Sequence, residues 1–278
     1  MSTTKQRLAR IAPTPSGYLH EGNVANFLLN ARLAGEEGGL LLRIDDMDRS
    51  RFREVYLEDI FRVLDHVGIH WTQGPRNPED FHAHWSQRFR MAEYHSALAE
   101  LRHHPLVFAC PCSRRELQHG EHAHHCLSGK IPLESEGVAW RINTRALPPQ
   151  TLPNRFGETP FVIDLHQEAA DFVIRKKDGR PSYQVGSLVD DLHFGVTHVA
   201  RGEDLLPSTA AQSVLAELLG VSTAFSQIYF VHHPLLRGAD GEKLSKSAGA
   251  RGESLLEDAG FDLGPIQHWV DRLIEGKG

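Results

Sequence analysis

The first 45 residues constrain the fold more than any later stretch. Arg7–Ala12 reads as a short strand, Val24–Gly35 places apolar residues at helical spacing, and Gly39–Ile44 (Gly-Leu-Leu-Leu-Arg-Ile) is a nearly unbroken apolar strand bounded by glycine and aspartate. An apolar run of that kind suits a strand buried on both faces, and strand–helix–strand is the unit from which parallel sheets are built. The expectation is an α/β chain with a doubly wound sheet. Tyr56–His66 adds a helix, with Leu57, Ile60, Phe61 and Leu64 on one face and a break at Gly68.

The middle third changes character. His103–Gly129 is rich in histidine, cysteine and short polar residues, and Leu147–Phe156 carries Pro148, Pro149 and Pro153, which reads as an inserted subdomain. Beyond it, Asp171–Lys176 reads as a strand, Asp178-Gly179 as a turn and Ser182–Leu188 as the start of a helix. His198–Arg201 follows as a strand, and Ser208–Leu219 as a helix stopped by Gly220. The expected organisation is a first half of the sheet domain over 1–100, an inserted subdomain over 101–165, a second half over 166–247 and a short tail over 248–278 with one helix near Pro265–Ile274.

With Lys+Arg 30 against Asp+Glu 36, the net charge of −6 excludes a globally basic nucleic-acid binder, so any RNA contact must come from local patches. No run approaches the ~20 apolar residues that span a bilayer, and Met1–Arg7 lacks the apolar core of a signal peptide. A cytoplasmic protein without a membrane partner is expected. Three cysteines, all between Cys110 and Cys126, cannot build a disulfide framework and suit a metal or thiol site in a reducing compartment.

Two segments far apart carry the chemistry. Pro13-Thr14-Pro15-Ser16-Gly17-Tyr18-Leu19-His20-Glu21-Gly22-Asn23 is a tight loop opening onto a helix, where backbone N–H groups and the helix dipole receive phosphate. Glu242-Lys243-Leu244-Ser245-Lys246-Ser247 brings two lysines that suit a clamp on a polyphosphate leaving group. Either alone is weak; together they point to activation of a carboxylate by ATP.

The pair resembles the HIGH and KMSKS signatures of class I aminoacyl-tRNA synthetases, with His20–Asn23 as the first and Lys243–Ser247 as the second. Asn23 stands where the last histidine would be, a departure similar in kind to glutamate-specific members. The resemblance implies a Rossmann-type catalytic domain, with His20, Gly22, Lys243 and Lys246 as the catalytic set. It implies an ATP site of Pro13, Ser16, Gly17, His20, Gly22, Asn23 and Lys246, with Mg²⁺ on the nucleotide phosphates rather than in a protein cage. No covalent nucleophile is required.

Further matches follow glutamyl-type enzymes from Arg10 to Ser247. Arg10 resembles the arginine that meets a substrate carboxylate, with Ser16 beside it. Asp45 stands where the family carries a glutamate for the substrate ammonium, one methylene shorter. Tyr183 resembles the tyrosine packed on the substrate, and Arg201 the arginine that grips the glutamate side chain. Arginine suits that task because its planar fork bonds both carboxylate oxygens, while an amide would present donors to a donor-only group. Taken singly, these residues read as strand-end caps, a half-buried aromatic and a surface ion-pair member. Their joint order between the two loops carries the assignment. Asp190 and Asp191 are expected to cap an element or orient Arg201.

Cys110, Cys112 and Cys126, with His122 four residues before the last, resemble the zinc site of glutamyl-Q tRNA(Asp) synthetases, in which a tyrosine occupies the His122 position. Free thiols and exposed histidines are the competing reading, and His124, His125 and His119 are other candidates for the fourth ligand. That family also resembles this chain in ending soon after the lysine loop, without an anticodon-binding domain. It implies a monomer that activates glutamate without tRNA and attaches it to the queuosine base in the anticodon loop of tRNA(Asp). Two alternatives remain: a catalytically silent synthetase-like module that binds ATP, amino acid or RNA, and a ligase loading a small molecule or carrier.

Overall fold

The computed structural model describes residues 6–113, 116, 126–127, 130–236 and 252–276. Its centre is a parallel sheet of four strands in the order β2-β1-β8-β9, formed by Leu8–Ile11 (β1), Gly39–Leu42 (β2), His198–Gly202 (β8) and Tyr229–His233 (β9). β1 pairs with β2 from Leu8–Gly39 to Ile11–Leu42, and β8 with β9 from His198–Tyr229 to Gly202–His233. All four residues of β2 are buried, as its apolar sequence requires of a strand covered on both faces. The helix expected from Val24 begins earlier, spanning Glu21–Ala34 (α1) and connecting β1 to β2; the helix expected from Tyr56 spans Glu54–His66 (α2).

One side of the sheet is closed by α1 and α2, with Ile11, Val24, Phe27, Leu42, Leu57, Ile60 and Leu64 in a common core. On the other side lie the helices Tyr183–His193 and Leu206–Leu218. Their Leu188, Val214 and Leu215 share a core with Leu41 and Val199 of the sheet and with Ile142 and Ile174 of a second sheet. That second sheet is antiparallel, in the order β3-β4-β7, from Val107–Cys110 (β3), Ala139–Ile142 (β4) and Val173–Arg175 (β7), the last lying past residue 165. A hairpin of Gln150–Leu152 (β5) and Phe161–Ile163 (β6) lies between β4 and β7 in the chain.

The Asp178-Gly179 turn is present. Gly179 takes φ +85° and Lys176 N–H donates to the Arg180 carbonyl at 2.7 Å. The final helix is Leu263–Ile274. Among the described residues no helix is long and apolar enough to cross a membrane.

Candidate active site

A crevice opens where the sheet changes direction. β1 leads to β2 on one side and β8 to β9 on the other, so the carboxyl ends of β1 and β8 separate, which is where doubly wound sheets take their ligands. β1 and β8 pair at a single register, Ala9 with His198. Beyond it α1 supplies the missing partners. The fully buried Asn30 accepts from the Ala200 N–H at 2.8 Å and donates to the Ala200 carbonyl at 3.0 Å, and Asn26 donates to the same carbonyl at 2.9 Å. Two asparagines one helical turn apart thus hold the strands open.

The cavity there, about 500 Å³, is lined by Arg10, Pro13, Ser16, Gly17, His20, Gly22, Asn23, Tyr183 and Arg201, together with Asn26 and His233. Every described residue expected from the sequence to bind ATP or glutamate lines it, apart from Asp45. Lys243 and Lys246 lie outside the described residues.

At the mouth, His20 is the N-cap of α1. Its Nδ1 accepts from the Asn23 N–H at 3.3 Å, and its own N–H donates to Asn23 Oδ1 at 3.0 Å, a reciprocal capping box. With Nδ1 accepting, the neutral ring carries its proton on Nε2, as a donor. A Cβ on Gly22 would sit 3.1 Å from both Cε1 and Nδ1 of His20, so glycine is what lets the ring lie over the first turn. The His-x-Gly-Asn spacing is therefore a geometric unit: one residue caps, one clears space and one locks the cap.

The floor is built from buried charge. Arg10 Nε lies 2.9 Å from Asp191 Oδ1, and Arg43 Nη1 lies 2.7 Å from the same oxygen. Arg43 also forks onto Asp45 at 2.7 and 3.0 Å, and Arg90 forks onto Asp190 at 2.7 and 3.2 Å. Three arginines thus meet three aspartates, all buried, with the Tyr94 hydroxyl donating to Asp190 at 2.7 Å. Burial pushes Asp191 up, but Arg10 and Arg43 outweigh it and hold the carboxyl below its usual value. Burial raises Asp45, and Arg43 offsets only part of that. Asp45 turns both oxygens to Arg43, and Asp190 and Asp191 bond Arg90, Arg10 and Arg43 rather than Arg201.

Arg201 is a fourth arginine in this neighbourhood without a carboxylate. It is 2% exposed, and its Nη1 donates to two neutral groups, Thr209 Oγ1 and Gln212 Oε1, each at 3.1 Å. Its guanidinium carbon sits 4.8 Å from the centre of the Phe230 ring. Nε and Nη2 find no partner. Burial, with Arg10 and Arg43 near, pushes its pKa down to about 10, which still leaves it charged at neutral pH. A buried guanidinium with two donors left without acceptors is a costly arrangement that an anionic partner would relieve.

Against this geometry stand the relatives. The family described as tRNA synthetases class I (E and Q), catalytic domain, matches residues 7–138 and 157–273. The chain belongs to this family. It is 35% identical over 252 residues to a glutamyl-Q tRNA(Asp) synthetase of Pseudomonas syringae pv. syringae, covering 86% of this chain and 77% of that one. It is 37% identical over 265 residues to one of Symbiobacterium thermophilum, covering 87% and 78%. A solved glutamate tRNA ligase from Elizabethkingia meningosepticum superposes with a TM-score of 0.71 at 23% identity. That match spans 92% of this chain and 54% of the ligase, and establishes the shared fold.

In the inserted sheet of this synthetase-family chain, Cys110, at the end of β3, lies near Cys112 and Cys126, their sulfurs all within 4.8 Å of one another. Cys126 Sγ is 3.4 Å from Cys112 Sγ and 3.8 Å from Cys110 Sγ. Thiolates bound at ~2.3 Å to one tetrahedral zinc stand about 3.8 Å apart, so the three fit a single ion. Burial, then the neighbouring thiols, push Cys126 up to about 12. His122, His119, His124 and His125 lie outside the described residues.

Sequence reasoning missed the residues behind the site. Thr209, Gln212 and His232 hold charges and donors in place, yet they belong to no motif and meet only through the fold; Arg43 sits in the Gly39–Ile44 strand sequence, which gives no sign of its buried partners Asp45 and Asp191. His232 Nε2 lies 2.7 Å from Thr209 Oγ1, which also bonds Arg201. Burial, then Arg201, pushes His232 down to about 3, so it is neutral at physiological pH.

Proposed function

We propose that the protein activates glutamate with ATP, without RNA, and transfers the glutamyl group to the queuosine base of tRNA(Asp), acting as a monomer in the cytoplasm. The observation that supports this reading is Arg201: three arginines are matched by three aspartates around it, and it alone in that set lines the cavity with two buried donors that have no partner. A glutamate side-chain carboxylate would fill both, and the amide of glutamine would not.

With the side chain on Arg201 and a carboxylate near Arg10 and Ser16, the reacting carboxylate lies toward the N-terminus of α1, where the nucleotide phosphates are proposed to bind. There His20 Nε2, the Gly22 backbone and the lysines 243 and 246 would stabilise charge as the carboxylate oxygen attacks the α-phosphorus and pyrophosphate leaves. Mg²⁺ would travel on the phosphates. Asp45 is proposed for the substrate ammonium through the lone pairs that Arg43 leaves open, an ionised carboxylate offering about four. Tyr183, exposed at the cavity edge, would close over the substrate. Cys110, Cys112, Cys126 and His122 are proposed to hold zinc, which would supply rigidity to the inserted sheet and take no part in the reaction. The relatives named glutamyl-Q tRNA(Asp) synthetases support the acceptor.

Arg201→Ala should lower glutamate-dependent ATP–pyrophosphate exchange at least ~100-fold in kcat/KM, since truncating a buried charge pair costs about 2–5 kcal/mol, with ATP binding kept. Unchanged exchange would remove Arg201 from the site. Incubation with labelled glutamate and tRNA(Asp) with or without queuosine tests the acceptor, labelling being expected only with the modified base.

A further inference from the structure

We propose that His233 and Asn26 are positioning residues for the nucleotide: a hydrogen-bonded bridge between them fixes the exit of β9 against α1, and with it one wall of the cavity, a role that rests on the ATP site proposed above. Both side chains line that cavity. His233, the last residue of β9, is 4% exposed, and Asn26 stands in the second turn of α1, past the His20 cap. In the sequence they are 207 residues apart.

The bridge admits one arrangement of hydrogens. His233 Nδ1 lies 2.8 Å from the Pro234 carbonyl, which can only accept, so Nδ1 carries the ring hydrogen. In the neutral ring Nε2 is then an acceptor, and Asn26 Nδ2 donates to it at 3.0 Å. The same amide nitrogen donates to the Ala200 carbonyl at 2.9 Å, so both of its hydrogens are used, and turning the amide over would set its oxygen against two acceptors. Burial holds His233 below the ordinary histidine value, against the Pro234 carbonyl and Asp204, which raise it. A ring protonated on Nε2 would set a donor against a donor, and the neutral ring is the one that fits.

Two further contacts make this bridge set the path of the chain. Pro234 has no N–H to continue the ladder, so the strand ends there and the His233 ring holds the Pro234 carbonyl instead. Leu235 and Leu236 follow directly and line the cavity with an apolar face that suits a nucleobase. On its other side the ring meets Trp269 of the final helix edge-on, with centres 5.3 Å apart. The bridge therefore ties β8, α1 and the end of β9 together, on the helix whose first turn is proposed to take the phosphates. The arginines proposed for glutamate are held by other groups, Arg10 by Asp191 and Arg201 by Thr209 and Gln212. Breaking the bridge should thus disturb ATP and spare glutamate.

The test uses the full chain with His233→Phe, which keeps a ring against Trp269 and removes both nitrogens, with Asn26→Ala, and with the two combined. ATP–pyrophosphate exchange gives kcat and separate KM values for ATP and glutamate, and equilibrium dialysis with labelled ATP, without amino acid, reads nucleotide binding alone. Each single variant should raise KM and Kd for ATP about tenfold, the upper end of what one lost hydrogen bond gives, with KM for glutamate within about twofold of wild type. The combined variant should lose little more than either single one, because both break the same bridge. ATP affinity within about twofold of wild type in folded variants, additive losses in the combined variant, or equal losses for ATP and glutamate would overturn the proposal. If His233→Phe does not fold, Asn26→Ala decides alone. Wild-type protein that binds ATP but exchanges with no amino acid would count against glutamate activation and leave the bridge to be decided by dialysis; wild-type protein that binds no ATP would overturn both.

Discussion

Around Arg201 the position of a charge follows from what its neighbours refuse to do. Thr209 and Gln212 hold its Nη1 without neutralising it, and His232 behind Thr209 stays uncharged. A protonated His232 would put a second cation beside Arg201, and its pKa, driven by burial and then by Arg201 from 6.5 to about 3, prevents that. Between those values the unfolded chain binds a proton that the folded chain does not. This contribution to stability is therefore complete above about pH 6.5 and is lost as pH falls toward 3. Denaturant midpoints of wild type and His232→Gln should accordingly diverge less at pH 5 than at pH 7.5, with the variant showing the flatter dependence; parallel curves would contradict it. Gly22→Ala tests the opposite end of the cavity. It should displace the His20 ring and reduce exchange about tenfold or more while the melting temperature moves little. The motif residues were legible because their spacing is local. Thr209, Gln212 and His232 were not, because 23 residues of chain separate Thr209 from the histidine that bonds it and no period connects them.

At the level of elements, the splay between β1 and β8 makes the site, and Asn30 makes the splay tolerable. Its amide replaces the ladder bonds that Ala200 loses where β1 turns away. Asn30→Leu should strand the Ala200 N–H in the core, the carbonyl keeping Asn26, and cost about 1–3 kcal/mol, read as a lower denaturation midpoint; an unchanged midpoint would show that β1 and β8 close over the gap. The β1-α1-β2 unit was readable because a uniformly apolar strand and a periodic helix are strong signals. β9 was not, since Tyr229–His233 ends in two histidines, a polar pair that does not mark a buried strand, and only its place beside β8 in the fold buries them. β3 and β4 were hidden likewise, each only four residues long and flanked by polar chain.

Across the whole molecule, the parallel sheet carries the residues proposed to bind ATP and glutamate, and the antiparallel sheet bears Cys110 of the cysteine cluster. Sequence alone separated these two regions by composition, but it did not show that β7 joins the second sheet, because strand pairing across more than 30 residues leaves no local mark. The metal proposal belongs here. Protein purified without chelator should contain about one zinc per chain, and Cys126→Ser should lose it and melt at lower temperature; zinc well below one atom per chain in the wild type would exclude the site. The central claim is that this fold activates glutamate. ATP–pyrophosphate exchange measured with each of the twenty amino acids, in the absence of RNA, tests it most directly. Exchange with glutamate and background rates with glutamine and aspartate are expected; no exchange with any amino acid, or equal rates with glutamate and glutamine, would contradict it.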